Sequence, residues 1–258
     1  MLNRKEVRRL LMNTHIQQYL QRINFQGSLE PSIKLLGHLQ TYHLHTIPYE
    51  NLDVAMKQDI SFTIPDLFQK LIVRKRGGNC FELNILFSWL LRELGFSVTN
   101  RYAQFWRNVD ANTPLKDVPM HQLLIVTFAG ISYITDVGVG ALAPCKPVPL
   151  LAGHIHREGN ELYKIEQDDT HGWMLYEQTT HNWRLLYNFT DDASDAKFAP
   201  RLSTQVNKIA MIRTARGRTT MLNNEFRIYG DTSLTTYTTH TEQEWQQALK
   251  RYFHVSIT

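Results

Sequence analysis

The stretch Arg76-Gly77-Gly78-Asn79-Cys80-Phe81-Glu82-Leu83-Asn84 decides how the chain is read. Its glycines carry no Cβ, so the backbone is free to turn sharply just ahead of a cysteine. Behind Cys80 the apolar residues Leu83, Leu86, Phe87, Leu90, Leu91 and Leu94 recur at helical spacing, so a buried helix is expected to open at the cysteine. Asn79 occupies the N-cap position and Glu82 the capping-box position, where their side chains satisfy amides that the first turn leaves free. The thiol then stands at the positive end of a helix dipole, which favours the nucleophilic thiolate. A lone cysteine here also reads as a small core residue, so its chemistry depends on partners elsewhere in the chain.

Ahead of the motif, residues from about Asn3 to Leu94 read as mostly helical. Leu10, Leu11, His15, Tyr19 and Leu20 share one face, and Ser32-Ile33-Lys34-Leu35-Leu36 with Leu39 and Tyr42 forms a second segment. Pro48 ends that segment within His43-Leu44-His45-Thr46-Ile47-Pro48-Tyr49-Glu50-Asn51-Leu52-Asp53, because the residue before a proline is pushed from α toward extended geometry. Glu50 and Arg76 carry opposite charges on either side of the site. A pair between them is expected to hold the cysteine loop against the first helices.

From Ser97 onward the pattern turns to strands. Arg101 to Trp106 and Leu123 to Phe128 are rich in β-branched and aromatic residues, with Asp110-Ala111-Asn112-Thr113-Pro114 as a loop between them. Further strands fit Leu162–Ile165, Trp173–Glu177 and Trp183–Phe189, and their close spacing points to a barrel or strongly curled sheet. After Asp191-Asp192-Ala193-Ser194-Asp195, strands around Lys208 to Arg213 and Thr219 to Tyr229 lead to a helix over Glu242 to Phe253, capped by Thr241 or Thr239.

Two residues in the strand region answer the cysteine. If Ala129-Gly130 is a two-residue hairpin loop, Phe128 faces Ile131 and the ladder places Asp136 opposite Leu123. His121 shares Leu123's face, because strand side chains alternate, and so becomes a diagonal neighbour of Asp136. A one-residue slip would set them on opposite faces. Cysteine, imidazole and carboxylate together make a nucleophile: the thiol passes its proton to the ring, and the carboxylate fixes the ring's tautomer and orientation.

R-G-G-x-C-x-E-x-N at Arg76–Asn84 resembles the active-site motif of the arylamine N-acetyltransferases. The likeness extends through H-x-x-x-x-P-[FY]-E-N-L at His43–Leu52, M-H-x-L-L-x-V around His121, D-V-G-x-G from Asp136, and W-x-x-x-Y-x-F at Trp183, Tyr187 and Phe189. The resemblance implies an α+β fold in three parts: a helical bundle over 1–95, a central β-barrel over 96–192 and a C-terminal α/β lid over 193–258. It implies Cys80, His121 and Asp136 as a triad arranged as in papain-like cysteine enzymes, and acetyl-CoA as a co-substrate that is not tightly bound. Acetyl would pass through a Cys80 thioester to arylamines, arylhydrazines or arylhydroxylamines. Gly138, Gly140 and Ala103 fall to the donor side, with the amides at Cys80 and near Ala103 facing the oxyanion. Tyr49, Phe81 and Val139 fall to the acceptor pocket. Two positions depart from the family pattern: Asn79 replaces an aromatic residue, and Val139 replaces a phenylalanine, which should widen the acceptor pocket. The segment Arg201 to Val206 matches the family's lid entry only loosely.

Composition narrows the alternatives. The 258 residues, 43% hydrophobic and 20% charged, suit a soluble globular protein with a sizeable core. A net charge of +4 is too mild for a nucleic-acid track and fits a small anionic molecule or simple solubility better. Two cysteines form no disulfide framework; Cys145 reads as a loop thiol, and a reducing, cytoplasmic setting is expected. Neither a signal-peptide core behind the first charges nor an unbroken membrane span is expected. The pairs His154-Ile155-His156 and His43-Leu44-His45 lack a zinc ligand set and read as loop or surface residues, so no metal is expected. The competing readings are a thiol hydrolase, amide synthase or transglutaminase-like enzyme built on the same triad, and a silent small-molecule binder that kept the fold.

Overall fold

The computed structural model describes residues 14–106, 120–142, 144–191 and 207–257. Helix α1 covers residues 14–22 and buries Tyr19 and Leu20; Leu10 and Leu11, expected on the same face, lie outside the described residues. Helix α2, Ile33–Thr46, starts where Ser32 accepts a hydrogen bond from the Leu35 amide and stops just before Pro48, as the proline requires. Short helices α3, Leu52–Ala55, and α4, Ile64–Phe68, follow, and α4 runs into a π-helical turn over Gln69–Val73. Helix α5, Cys80–Glu93, then crosses the middle of the bundle. Its Leu83, Leu86, Phe87, Leu90 and Leu91 are buried against Tyr19, Leu36, Leu39 and Leu71.

The strands form two antiparallel sheets. The larger has the order β5-β4-β3-β2-β9-β8-β7-β6, where β2 is Ser97–Phe105, β3 Met120–Phe128, β4 Ile131–Thr135, β5 Val148–Pro149, β6 Ile155–Glu158, β7 Glu161–Asp168, β8 Gly172–Gln178 and β9 Trp183–Phe189. Its terminal strands, β5 and β6, are joined only by residues 150–154, so the sheet curls into a nearly closed barrel, as expected. Inward side chains fill it, among them Leu123, Ile165, Leu175, Leu186 and Tyr187. The tight turn at Ala129-Gly130 has positive φ at both residues, 51° and 81°, the signature of a type I′ hairpin. Phe128 pairs with Ile131 and Leu124 with Thr135, which carries Asp136 to the level of Leu123.

The smaller sheet has the order β1-β10-β11-β12-β13, with β1 Tyr49–Glu50, β10 Ile209–Thr214, β11 Gly217–Leu222, β12 Glu225–Tyr229 and β13 Leu234–Thr238. Helix α6, Glu242–Phe253, capped by Thr241, packs Trp245, Ala248, Leu249 and Phe253 on one face of it. The strand expected over Thr219 to Tyr229 is two strands, because Asn223 takes φ of 54° and reverses the chain. Strand β1 is the less expected element: two residues just after a helix pair with Met211 and Ala210, far along the chain. The loop Asp110–Pro114, the run Asp192–Asp195 and the segment Arg201–Val206 lie outside the described residues. Among the described residues no helix is long and apolar enough to cross a membrane.

Candidate active site

Cys80 is the first residue of α5, and the capping box that holds it there is complete. Asn79 Oδ1 accepts the amides of Phe81 and Glu82 at 3.0 and 3.2 Å, and Glu82 Oε2 accepts the Asn79 amide at 2.9 Å. No described residue takes the Cys80 N–H, which therefore remains available at the positive end of the helix. The turn before it is tight: a Cβ at Gly77 would collide with the Pro48 carbonyl oxygen, and one at Gly78 would lie 2.9 Å from Glu82 Cβ.

Beneath the cap runs a chain of charges alternating in sign. Arg76 donates to Glu50 Oε1 at 2.8 and 3.0 Å and to Asp53 at 2.6 Å; Lys70 lies 2.7 Å from Asp53 and 2.6 Å from Glu82. The other oxygen of Glu50 accepts the Leu52 amide at 2.8 Å. The expected pairing of Glu50 with Arg76 is thus one link of four, joining β1, α3, the π-turn and α5. Burial lowers the Lys70 ammonium, yet the carboxylates of Glu82, Glu50 and Asp53 outweigh it and hold Lys70 above its ordinary value.

His121 and Asp136 meet as the register requires, with Nε2 to Oδ2 at 2.7 Å and side chains 3% and 1% exposed. Asp136 Oδ1 also accepts Asn84 Nδ2 at 3.0 Å and the Gly138 amide at 2.8 Å, so the carboxylate is fixed before it orients the ring. Asn84 Oδ1 in turn accepts the Val137 amide at 3.1 Å. The rings of Tyr187 and Phe105 flank the imidazole at 5.3 and 5.9 Å. Burial alone would lower His121. The Asp136 carboxylate and a hydrogen bond with Cys80 reverse that and hold it at about 10. With Nε2 on Asp136, it is Nδ1 that serves the sulfur.

Cys80 is half-buried and opens with His121 into a cavity of about 470 Å³ between the barrel and the smaller sheet. Tyr49, Gly138 and Val139 line it. Phe81 does not. It is 2% exposed and packs against Phe62 and Tyr102, because the next residue of a helix points about 100° away from Cys80. Gly138 and Gly140 are also sites of close packing: a Cβ at Gly138 would lie 2.8 Å from Cys80 Cα, and one at Gly140 would lie 2.8 Å from Tyr49 Cβ. Ala103 is buried in the ladder opposite His121 and is absent from the cavity wall.

Other expectations need correction. His43 is no surface residue: it is fully buried in α2, its Nδ1 is 2.7 Å from the Tyr19 hydroxyl, and burial with nearby Arg22 lowers it to about 3. His156 belongs to strand β6 and pairs with Glu158 at 2.8 Å. Among the described residues no cluster of three His, Cys, Asp or Glu is suited to hold a metal. Cys145 is half-buried and its thiol is pushed up to about 11 by burial, which leaves it unreactive. Two supporting residues escaped the sequence reading. Asn84 lies four residues after Cys80 on the same helical face, a signal that was present; Lys70 lies twelve residues before Glu82 and gave none.

Comparison with known proteins agrees with this geometry. A family model described as N-acetyltransferase matches residues 32–258. An arylamine N-acetyltransferase of Mycobacterium tuberculosis is 36% identical over 182 residues, 69% of this chain and 64% of that protein, so the match spans just under two thirds of the relative. The structure of an arylamine N-acetyltransferase from M. tuberculosis superposes with a TM-score of 0.83 at 28% identity, covering 92% of this chain and 93% of that one. That of the Mycobacterium marinum enzyme in complex with CoA gives 0.82 at 25% identity, covering 93% and 92%.

Proposed function

The chain belongs to the arylamine N-acetyltransferase family, and on that premise we propose that it transfers acetyl from acetyl-CoA to arylamines, arylhydrazines or arylhydroxylamines through Cys80. One observation supports this most strongly: a cysteine at a capped helix N-terminus, hydrogen-bonded to a buried histidine held at about 10 by a carboxylate 2.7 Å away. A basic imidazole hydrogen-bonded to the thiol gives it a base to pass its proton to as the sulfur attacks.

In the first half-reaction the Cys80 thiolate attacks the thioester carbonyl, the carbon–sulfur bond to CoA breaks, and the CoA thiolate takes the proton carried by His121. The Cys80 amide, unclaimed by the cap, donates to the oxyanion; a well-placed donor of this kind contributes about 3–4 kcal/mol. In the second half-reaction the neutral amine attacks acetyl-Cys80, His121 accepts the amine's proton as the tetrahedral intermediate collapses, and the amide leaves. Asp136, fixed by Asn84 and Gly138, keeps the ring aimed in both directions. The three segments 1–95, 96–192 and 193–258 supply the nucleophile, the histidine with its carboxylate, and the far wall of the cavity. The CoA complex of the M. marinum enzyme favours the same donor here, and a cytoplasmic setting suits a free reactive thiol.

Incubation with acetyl-CoA should add one acetyl group to the Cys80 peptide and none to the Cys145 peptide, as read by mass spectrometry. An arylamine should then discharge it much faster than water does. No acetyl on Cys80, or discharge by water at the same rate, defeats the proposal, and the second outcome makes the protein a thiol hydrolase.

A further inference from the structure

The cavity that holds Cys80 is walled on one side by a sheet face carrying cations. Register places Met211, Thr220 and Arg227 in one row across β10, β11 and β12, and Arg213, Arg218 and Tyr229 in the next. These cations differ in what already engages them. Arg227 lies 2.6 Å from Glu225, and Arg213 takes both oxygens of Glu161 at 2.8 Å. Arg218 stacks over the Tyr229 ring at 4.6 Å, and its nearest carboxylate among the described residues is the same Glu161, at 3.9 Å, beyond hydrogen-bond reach. A half-buried guanidinium therefore faces the reaction cavity with its fork of donors turned to no protein acceptor among the described residues.

We propose that Arg218 selects the acceptor, binding an anionic substituent, a carboxylate or a sulfonate, on the aromatic ring of the amine. The inference rests on the acetyl-transfer reading above. Strand spacing puts the Arg218 backbone two strands, ~10 Å, from Tyr49 and about two residues, ~7 Å, along the sheet. Tyr49, Val139 and Met211 line the cavity with it. One end of the cavity thus carries a nucleophile, the middle offers faces for a benzene ring, and the rim offers a planar cation. A ring with an amine at one end and a carboxylate at the other complements that order, and guanidinium pairs carboxylate in a bidentate fork.

Donor phosphates are the other anions in the reaction, and the two half-reactions separate them. Arg218→Met keeps the length of the side chain and removes its charge. With Cys80 acetylated from 4-nitrophenyl acetate, which has no phosphate, the variant should lose roughly 10–100-fold in kcat/KM for 4-aminobenzoate, the scale of hydrogen bonds to a charged group. The rate with ethyl 4-aminobenzoate should hold, Arg218→Lys should recover part of the loss, and acetylation by acetyl-CoA should be unchanged. Equal effects on acid and ester, or no effect on either, overturn the proposal. A slower acetyl-CoA step beside an intact 4-nitrophenyl acetate step overturns it too, assigning the guanidinium to the donor. Unmodified protein that takes no acetyl from either donor overturns the transfer reading itself, before any amine is added.

Discussion

Lys70→Met tests whether the buried charges under the cap hold helix α5 in place. Lys70 and Glu82 side chains are 8% and 2% exposed, and Nζ is 2.6 Å from Glu82 and 2.7 Å from Asp53. Asp53 keeps Arg76 at 2.6 Å and is 18% exposed, so the loss falls on Glu82. Removing one partner of a buried pair leaves an uncompensated charge and costs about 3–5 kcal/mol. With a urea slope of ~2–3 kcal/mol per molar, the unfolding midpoint should fall by at least ~1 M. Alkylation of Cys80 by iodoacetamide should slow as well, since the negative charge of Glu82 then sits unbalanced in the first turn of the same helix. The deciding measurement is a double-mutant cycle. Glu82→Gln keeps an acceptor for the Asn79 amide and removes the charge, so Lys70→Met/Glu82→Gln should be more stable than Lys70→Met alone. A single-variant loss below ~1 kcal/mol, within the range of a solvated surface pair, would refute the reasoning, as would a double variant that costs the sum of both singles.

Other contacts in the fold lead to further outcomes. Gly138→Ala places a Cβ 2.8 Å from Cys80 Cα and 2.9 Å from its Cβ, so it should cost ~1–3 kcal/mol in overpacking and at least ~10-fold in kcat; an unchanged kcat would contradict the contact. His121 in the fold is held at about 10, above the ~6.5 of a free histidine, so its contribution to stability is full below about pH 6.5 and is lost as pH climbs through 10. Urea melts between pH 7 and 10 should therefore weaken more in the wild type than in Asp136→Asn, and parallel curves would argue against the pair. His43 behaves in the opposite sense: lowered to about 3, it stays neutral in the fold while the unfolded chain takes up a proton, so stability is lost as pH falls from about 6.5 toward 3, by up to ~1.4 kcal/mol per unit. His43→Gln should flatten that acid limb, and an unaltered slope between pH 6.5 and 5 would exclude the assignment.

The parts of the fold that sequence foretells are those set by local rules. The α5 start follows from Asn79 and Glu82, the α2 stop from Pro48, and the meeting of His121 with Asp136 from one hairpin turn that fixes the register. What stayed hidden depends on distant partners. Phe81 carries no mark showing which way a helix residue faces, and Gly140 owes its identity to Tyr49 and Met211 packed against it. His43 reads as a surface residue in the sequence because its hydrogen bond with the Tyr19 hydroxyl cannot be read from its neighbours in the chain. Lys70 sits in a π-turn whose widened geometry aims it at Glu82, and side-chain periodicity is blind to that.

Strand β1 carries a lesson about modularity. Tyr49 and Glu50 precede Cys80 in the chain yet form the edge of the sheet whose remaining strands come from the last fifty residues, and Asn51 adds side-chain bonds of 2.9 and 2.7 Å to Asn207 and Ile209. Glu50 is at once a rung of that sheet and an anchor for Arg76. A chain cut short ahead of β10 would forfeit more than a cover: the segment leading to Cys80 would lose its neighbour, and the anchor of the cysteine loop would come adrift. Deletion libraries should find no active core lacking those strands, and a split version should regain activity only when the two pieces reassemble.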